Sequence, residues 1–251
     1  VPFILGNAVT IAKTASRLFI ALAVSLLAVA FAHGQAAAPA QAISRTDPEQ
    51  MLKQATDQLL AISRAAQAYA KEDPERYYSQ VTAVLDQVMD MPYFARGVMA
   101  TYASSRLYNS LRTEAERAAF RDRLTRFTTA LKRVWMVKYS DALLRFHGER
   151  IDLARIATGN DSADRASVEQ TIHGENNQTY VVQYSLHKAK DGGWRITNVI
   201  VEGINLGVTY RSQFAEAVEN HQGDVDYVVD HWVELMLHDT APIGSSETAG
   251  K

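Results

Sequence analysis

The 251-residue chain contains no cysteine. No disulfide framework can therefore form, which suits an exported protein that avoids stray pairing. It also lacks a glycine-rich phosphate loop and a G-x-S-x-G elbow, the marks of nucleotide-binding P-loops and serine hydrolases. Positive charge is not in surplus: 26 Lys and Arg stand against 28 Asp and Glu, a net charge of -2. That balance excludes the usual signature of nucleic-acid binding and of adhesion to anionic lipid surfaces. Zinc spacing is missing, since His231 and His238 lie two helical turns apart rather than at i, i+4. His147, His173 and His187 fall in or beside strand segments and read as surface or edge residues. Asp224, Asp226 and Asp230 lack the glycine and terminal glutamate of a calcium loop. No metal, no other cofactor and no catalytic group is expected.

The N-terminus carries Lys13 and Arg17, then an apolar run from Leu18 to Ala32 that ends in Ala30-Phe31-Ala32. This is the order of a secretory signal: basic region, apolar region, small-residue cleavage site. The run is shorter than the span of about 20 residues that a membrane helix needs. No cysteine follows it to carry a lipid. The first methionine is Met51, so Val1 reads as an over-extended start. The expected division is a signal peptide over 1–32, a disordered Ala-, Gln- and Pro-rich lead-in over 33–46, one domain over 47–239 and a disordered tail over 240–251. Removal of Lys13 and Arg17 would take the net charge from -2 to -4.

Helical spacing opens the domain, over 48–72 behind Asp47 and Pro48, then 74–90, then a short helix over 93–103 after Met91-Pro92. Thr113-Glu114-Ala115-Glu116 is a capping box. It starts a helix with Phe120, Leu124, Phe127, Leu131, Val134 and Trp135 on one stripe, reaching Tyr139 and a further turn or two through Leu143 and Leu144. Period two then predicts four strands: Arg150–Ala157, Ala166–His173, Thr179–Lys188 and Trp194–Glu202. Asp191-Gly192-Gly193 marks a hairpin. Helices return over 208–220 and 225–237. No internal repeat is visible. The order helices, strands, helices predicts an α+β protein with a curved antiparallel four-stranded sheet packed by helices on one side.

Charge is unevenly placed. Residues 113–139 hold seven Lys and Arg against three Asp and Glu, while 212–250 hold eight acids and no Lys or Arg. Two readings stand: solvated helix faces, or a basic and an acidic patch that meet protein partners.

The most specific wording lies between Trp194 and Phe214. Trp194, Ile196 and Ile200 alternate with Val199 and Val201 in a strand apolar on both faces. Asn198-Val199, Glu202-Gly203-Ile204-Asn205-Leu206 and Tyr210-Arg211-x-x-Phe214 follow. This block resembles the MlaC/toluene-tolerance (Ttg2) family of periplasmic phospholipid-binding proteins. Ala55 to Leu60, Tyr139 to Leu144 and Asp164 to Val168 extend the likeness over roughly 50–237. The family turn is usually E-G-V-S-L, so Asn205 stands where serine is usual and keeps a short capping side chain. Gly203 and Gly207 fit either a strand-to-helix corner or a mouth loop with Ile204 and Leu206 at its tip.

The resemblance implies a nuclear-transport-factor-like sheet joined to helices and enclosing an apolar lipid cavity. It implies a soluble monomeric periplasmic carrier, with phospholipid as cargo, that maintains outer-membrane lipid asymmetry. Its partners would be an inner-membrane ABC transporter with an MCE-domain subunit and an outer-membrane lipoprotein–porin complex. The residues expected to line the cavity are Phe94, Val98, Phe127, Leu131, Val134, Trp135, Tyr139, Val168, Ile172, Val182, Tyr184, Leu186, Ile196, Ile200, Ile204 and Leu206. Taken singly, each also fits an ordinary core position. No cationic cluster is evident near the strands, which predicts weak headgroup selectivity. Two alternatives remain open: a carrier of another lipid such as a hopanoid, or an isomerase-type enzyme with a carboxylate inside the sheet, for which Glu169 is the nearest strand acid.

Overall fold

The computed structural model describes residues 41–146, 150–159, 161–174 and 178–238. His147 lies outside the described residues, as do the expected signal peptide, the tail and most of the lead-in. The described part of that lead-in runs along the fold. Ile43 is buried, its N–H donates to Gln87 Oε1, and Trp194 N–H donates to Arg45 O at 2.8 Å.

Three helices open the domain: α1 (Pro48–Ala66), α2 (Pro74–Val88) and α3 (Met91–Met99). Each has an aspartate at its N-cap and proline in the first turn. A 3₁₀ turn (Ala100–Ala103) and a short α4 (Ser105–Ser110) lead to α5 (Glu114–Leu144). The capping box is present: Glu116 N–H donates to Thr113 Oγ1, and Glu116 accepts from Thr113 N–H. At 31 residues, α5 is about 46 Å long.

The sheet follows as β1 (Arg150–Ile156), β2 (Arg165–His173), β3 (Thr179–Lys188), β4 (Trp194–Val201) and β5 (Ile204–Asn205). Then come α6 (Leu206–Asn220), α7 (Val225–Asp230) and α8 (Trp232–His238). Strand order equals chain order and every pairing is antiparallel.

The fold is α+β, but the expected curved four-stranded sheet enclosing a cavity is not found. The sheet has five strands and is open, with β1 and β5 as its edges. Two physical reasons explain the difference. Alternation identifies strands but carries no information on curvature, which comes from bulges and kinks. And a two-residue strand such as β5 is too short to show any period.

One bulge does occur. Ser185 pairs with Asn198 while Leu186 pairs with Ile196, so Thr197 has no partner. The phase of β4 flips there. Trp194 and Ile196 share a face with Val199 and Val201, and Ile200 lies on the other face. Sequence alternation without the bulge puts Ile200 with Ile196.

The face shared by Val168, Gln170, Val182, Tyr184, Leu186 and Ile196 is covered by helices; Gln170 Nε2 donates to Thr56 Oγ1 of α1 at 3.0 Å. Behind it, Phe127 of α5 packs edge-on against Phe214 and Trp232, with ring centroids 4.8 and 5.3 Å apart. These rings, with Leu131 and Val134, form the interior. Most of the apolar surplus that sequence assigns to a cavity wall is therefore packed side chain against side chain.

Candidate functional site

Two features could hold a ligand: a pocket beside the β4 bulge, and the half-buried part of the helix-covered sheet face.

The pocket begins with local backbone demands. Val201, Glu202, Gly203 and Ile204 make a two-residue hairpin in which both central residues have positive φ, 50° and 78°. Such turns match strand twist but strain any residue other than glycine or asparagine. Glu202 is held there because its carboxylate accepts from Val181 N–H, while its own N–H donates to Val181 O at 2.9 Å. The chain then enters α6 at once. Asn205 caps the helix, its Oδ1 accepting from Val208 N–H at 3.1 Å and from Asn198 Nδ2 at 3.0 Å. Asn198 Oδ1 in turn accepts from Gly207 N–H at 3.2 Å. Gly207 is required by proximity, since a Cβ there would stand 2.6 Å from Asn198 Oδ1. The corner reading of the two glycines is therefore met, with a different reason for each.

This corner, the bulge and the start of α3 enclose a pocket of about 420 Å³. Its lining is Tyr93, Phe94, Arg96, Gly97, Thr197, Asn198, Asn205, Gly207, Val208 and Arg211. Arg211 Nε donates to Gly97 O at 2.9 Å and ties α6 to α3. Tyr93 and Val208, 51% and 52% exposed, are two of the three largely exposed big apolar side chains in the described chain. Sequence reading named Phe94, Asn198, Asn205, Gly207 and Arg211 separately but did not bring them together as one site. Arg96 and Arg211 are far apart in the chain, and the bulge that brings Thr197 to the rim leaves no mark in the alternation.

The expected lining residues divide by burial. Phe94, Val98, Phe127, Leu131, Val134, Trp135, Val168, Leu186, Ile196 and Leu206 are buried. Tyr139, Ile172, Val182, Tyr184, Ile200 and Ile204 are half-buried. Phe94 joins the pocket to the sheet face through Trp135, 5.1 Å away edge-on, and Trp135 meets Tyr139 at 6.3 Å. Tyr139 and Tyr210 bring their hydroxyls to 3.3 Å. Burial pushes both phenols above their ordinary range, more so for Tyr210. Tyr184 O–H donates to Gln170 Oε1 at 2.6 Å, and desolvation raises its phenol as well. All three phenols are neutral donors at any physiological pH.

Glu169 lies in the opposite phase to Val168 and accepts from Gln183 Nε2 at 3.0 Å. Among the described residues no strand carboxylate lies on the helix-covered face, so the carboxylate that an isomerase needs is not placed there. The strand histidines have acidic partners that sequence separation conceals: His173 with Asp152 at 2.8 Å and His187 with Asp90 at 3.0 Å. Among the described residues no cluster of three His, Cys, Asp or Glu could hold a metal ion.

Part of the uneven charge is matched within the fold. The basic face of α5 meets the acidic α7: Arg123 and Arg126 both bind Asp226, at 2.6 and 2.9 Å, and Arg126 also reaches Asp230. Lys132 pairs with Asp86, and Arg133 with Glu75. Hydrogen bonds from Arg123 and Arg126 hold the Asp226 carboxyl down at about 2.

Comparison with known proteins adds three findings. Residues 53–234 match the protein family described as MlaC protein. The toluene tolerance protein ttg2D of Pseudomonas putida is 30% identical over 197 residues, covering 78% of this chain and 85% of that protein. The solved phospholipid-binding protein from Ralstonia solanacearum, in complex with a phospholipid, superposes with a TM-score of 0.60 at 18% identity. That match covers 78% of this chain and 99% of the other, and at this identity it speaks for the fold.

Proposed function

This chain belongs to the MlaC protein family, and on that premise we propose that it is a periplasmic carrier of diacyl phospholipid. Family membership puts it among lipid-transport proteins rather than enzymes. The need for a carrier is physical. A diacyl lipid has about 30 chain methylenes, and at about 0.8 kcal/mol each their exposure to water costs on the order of 25 kcal/mol. Free diffusion between membranes is negligible at that cost, so a protein surface has to replace the bilayer in transit.

The acyl chains lie along the helix-covered face of the sheet. Tyr139, Ile172, Val182 and Tyr184 touch them first, and the buried residues behind form the wall. Ile200, on the other face, stands apart from this group. Two acyl chains need more room than the 420 Å³ pocket offers. At about 30 Å³ per water-sized group they occupy on the order of 900 Å³, so the helices must move off the sheet to admit them. Export by a cleaved signal peptide, and exchange with an inner-membrane ABC transporter and an outer-membrane lipoprotein–porin complex, complete the reading.

The observation that carries it is the family match over residues 53–234. The test is to purify the exported protein, extract it with organic solvent and identify the lipid by mass spectrometry. About one diacyl phospholipid per chain is expected. A polycyclic lipid would instead make it a carrier of that class, and absence of any stoichiometric lipid would overturn the proposal.

A further inference from the structure

Most arginines near the long helix are matched by carboxylates: Arg121 with Glu114, Arg123 and Arg126 with Asp226, Arg133 with Glu75. The pocket beside the β4 bulge is different. Arg96 and Arg211 both line it, and among the described residues no carboxylate does. Arg211 spends its Nε on Gly97 O at 2.9 Å, and its two Nη groups have no partner among the described residues. Arg96 likewise has no ion pair among the described residues. The nearby carboxylate of Asp90 is already committed, with Oδ1 accepting from Tyr93 N–H and Oδ2 on His187. Two guanidiniums on one concavity, with no counter-charge among the described residues, favour an anion there.

The other walls narrow the anion's chemistry. Phe94 and Val208 are apolar, and the Tyr93 hydroxyl has no partner among the described residues. The ligand is therefore charged at one end and apolar beyond it. Behind Phe94 the pocket's apolar wall is continuous with the packed rings of α5: Trp135 lies 5.1 Å from Phe94 and Tyr139 6.3 Å from Trp135. At about 420 Å³ the pocket has room for a phosphoglycerol unit but not for two chains. Guanidinium groups suit phosphate because their planar N–H pairs match its oxygens.

We propose that Arg96 and Arg211 bind the phosphate of a glycerophospholipid in this pocket, with the acyl chains entering beside the Phe94, Trp135 and Tyr139 rings once the helices part from the sheet. This rests on the carrier reading above. The phosphate is common to all such lipids, so the site separates phospholipid from uncharged diacylglycerol without choosing among headgroup alcohols.

The test uses the purified protein incubated with vesicles that contain phosphatidylglycerol and diacylglycerol of identical chains. Protein-bound lipid is then measured by mass spectrometry. The wild type is expected to enrich the phospholipid at least tenfold over its share in the vesicle. The double variant Arg96→Gln, Arg211→Gln should lose about tenfold of that enrichment, with total lipid per chain unchanged. Arg211→Lys keeps charge with α6 and should fall between, and Arg64→Gln, on the exposed face of α1, should match the wild type. A parallel titration with glycerol 3-phosphate follows the arginine side-chain N–H signals by NMR. Saturable shifts in the wild type that vanish in the double variant, with lipid enrichment intact, would keep the phosphate site and make its source a soluble ester. Equal enrichment in wild type and double variant, with no glycerol phosphate binding, overturns the proposal. Failure of the wild type to take up either lipid is a failure of the carrier reading, and the titration still reports on the pocket.

Discussion

At the residue scale, the corner between β4 and α6 depends on one oxygen. Asn205 Oδ1 accepts from Val208 N–H and from Asn198 Nδ2. Asn205→Ala removes both bonds, leaves a donor of the half-buried Asn198 unpaired, and should cost about 1–2 kcal/mol. Asn205→Ser should restore most of it, since a hydroxyl oxygen also caps; urea denaturation of the two variants measures the difference. Gly207→Ala should cost about 1 kcal/mol by the same assay, because its Cβ must displace Asn198 from 2.6 Å. The capping role of Asn205 was legible, since a short polar side chain ahead of a helical pattern has few other uses. The position of Ile200 was not. The bulge at Thr197 shifts the phase of β4 by one residue, and an unpaired threonine in a strand reads like any other threonine. The bulge exists only in the register with β3, which one strand alone does not encode.

At the scale of elements, α5 shows both sides of this limit. Its start was readable because a capping box is local, four residues wide. Its charges were not, because Arg123 and Arg126 find Asp226 about a hundred residues on. That contact makes stability depend on acid. The Asp226 carboxyl sits at about 2 in the folded chain against an ordinary 3.8. A depressed folded value means that the stabilisation is complete above about pH 4 and is lost as pH falls toward 2. The shift corresponds to about 2 kcal/mol before screening, and with the side chain 48% exposed an effect on the order of 1 kcal/mol remains. Asp226→Asn should therefore lower stability near neutrality by about that amount and flatten the loss between pH 4 and pH 2. Thermal denaturation across that range, with the wild type in parallel, checks both halves. An unchanged acid slope would show that the network on α5 is ornamental to stability.

For the whole molecule, the apolar content that sequence shows so clearly has two uses, and burial separates them. Phe127 is fully buried between Phe214 and Trp232. Val182 is half-buried on the helix-covered sheet face, opposite Gln170 and Val201. Sequence places both in one apolar class, because period and hydropathy are the same for a core position and a ligand wall; only packing distinguishes them. Phe127→Ala should cost about 3–5 kcal/mol of stability, while the fraction that remains folded keeps its lipid. Val182→Asn should do the reverse. A polar amide on a half-exposed position costs about 1 kcal/mol of stability, but it sets an unsatisfied amide against the acyl chains. Lipid per folded chain, measured after organic extraction, should fall several-fold. The two assays on the two variants form a crossed comparison. If Val182→Asn retains its full lipid content, the chains do not lie on this face of the sheet, and the wall must be sought among the buried helices instead.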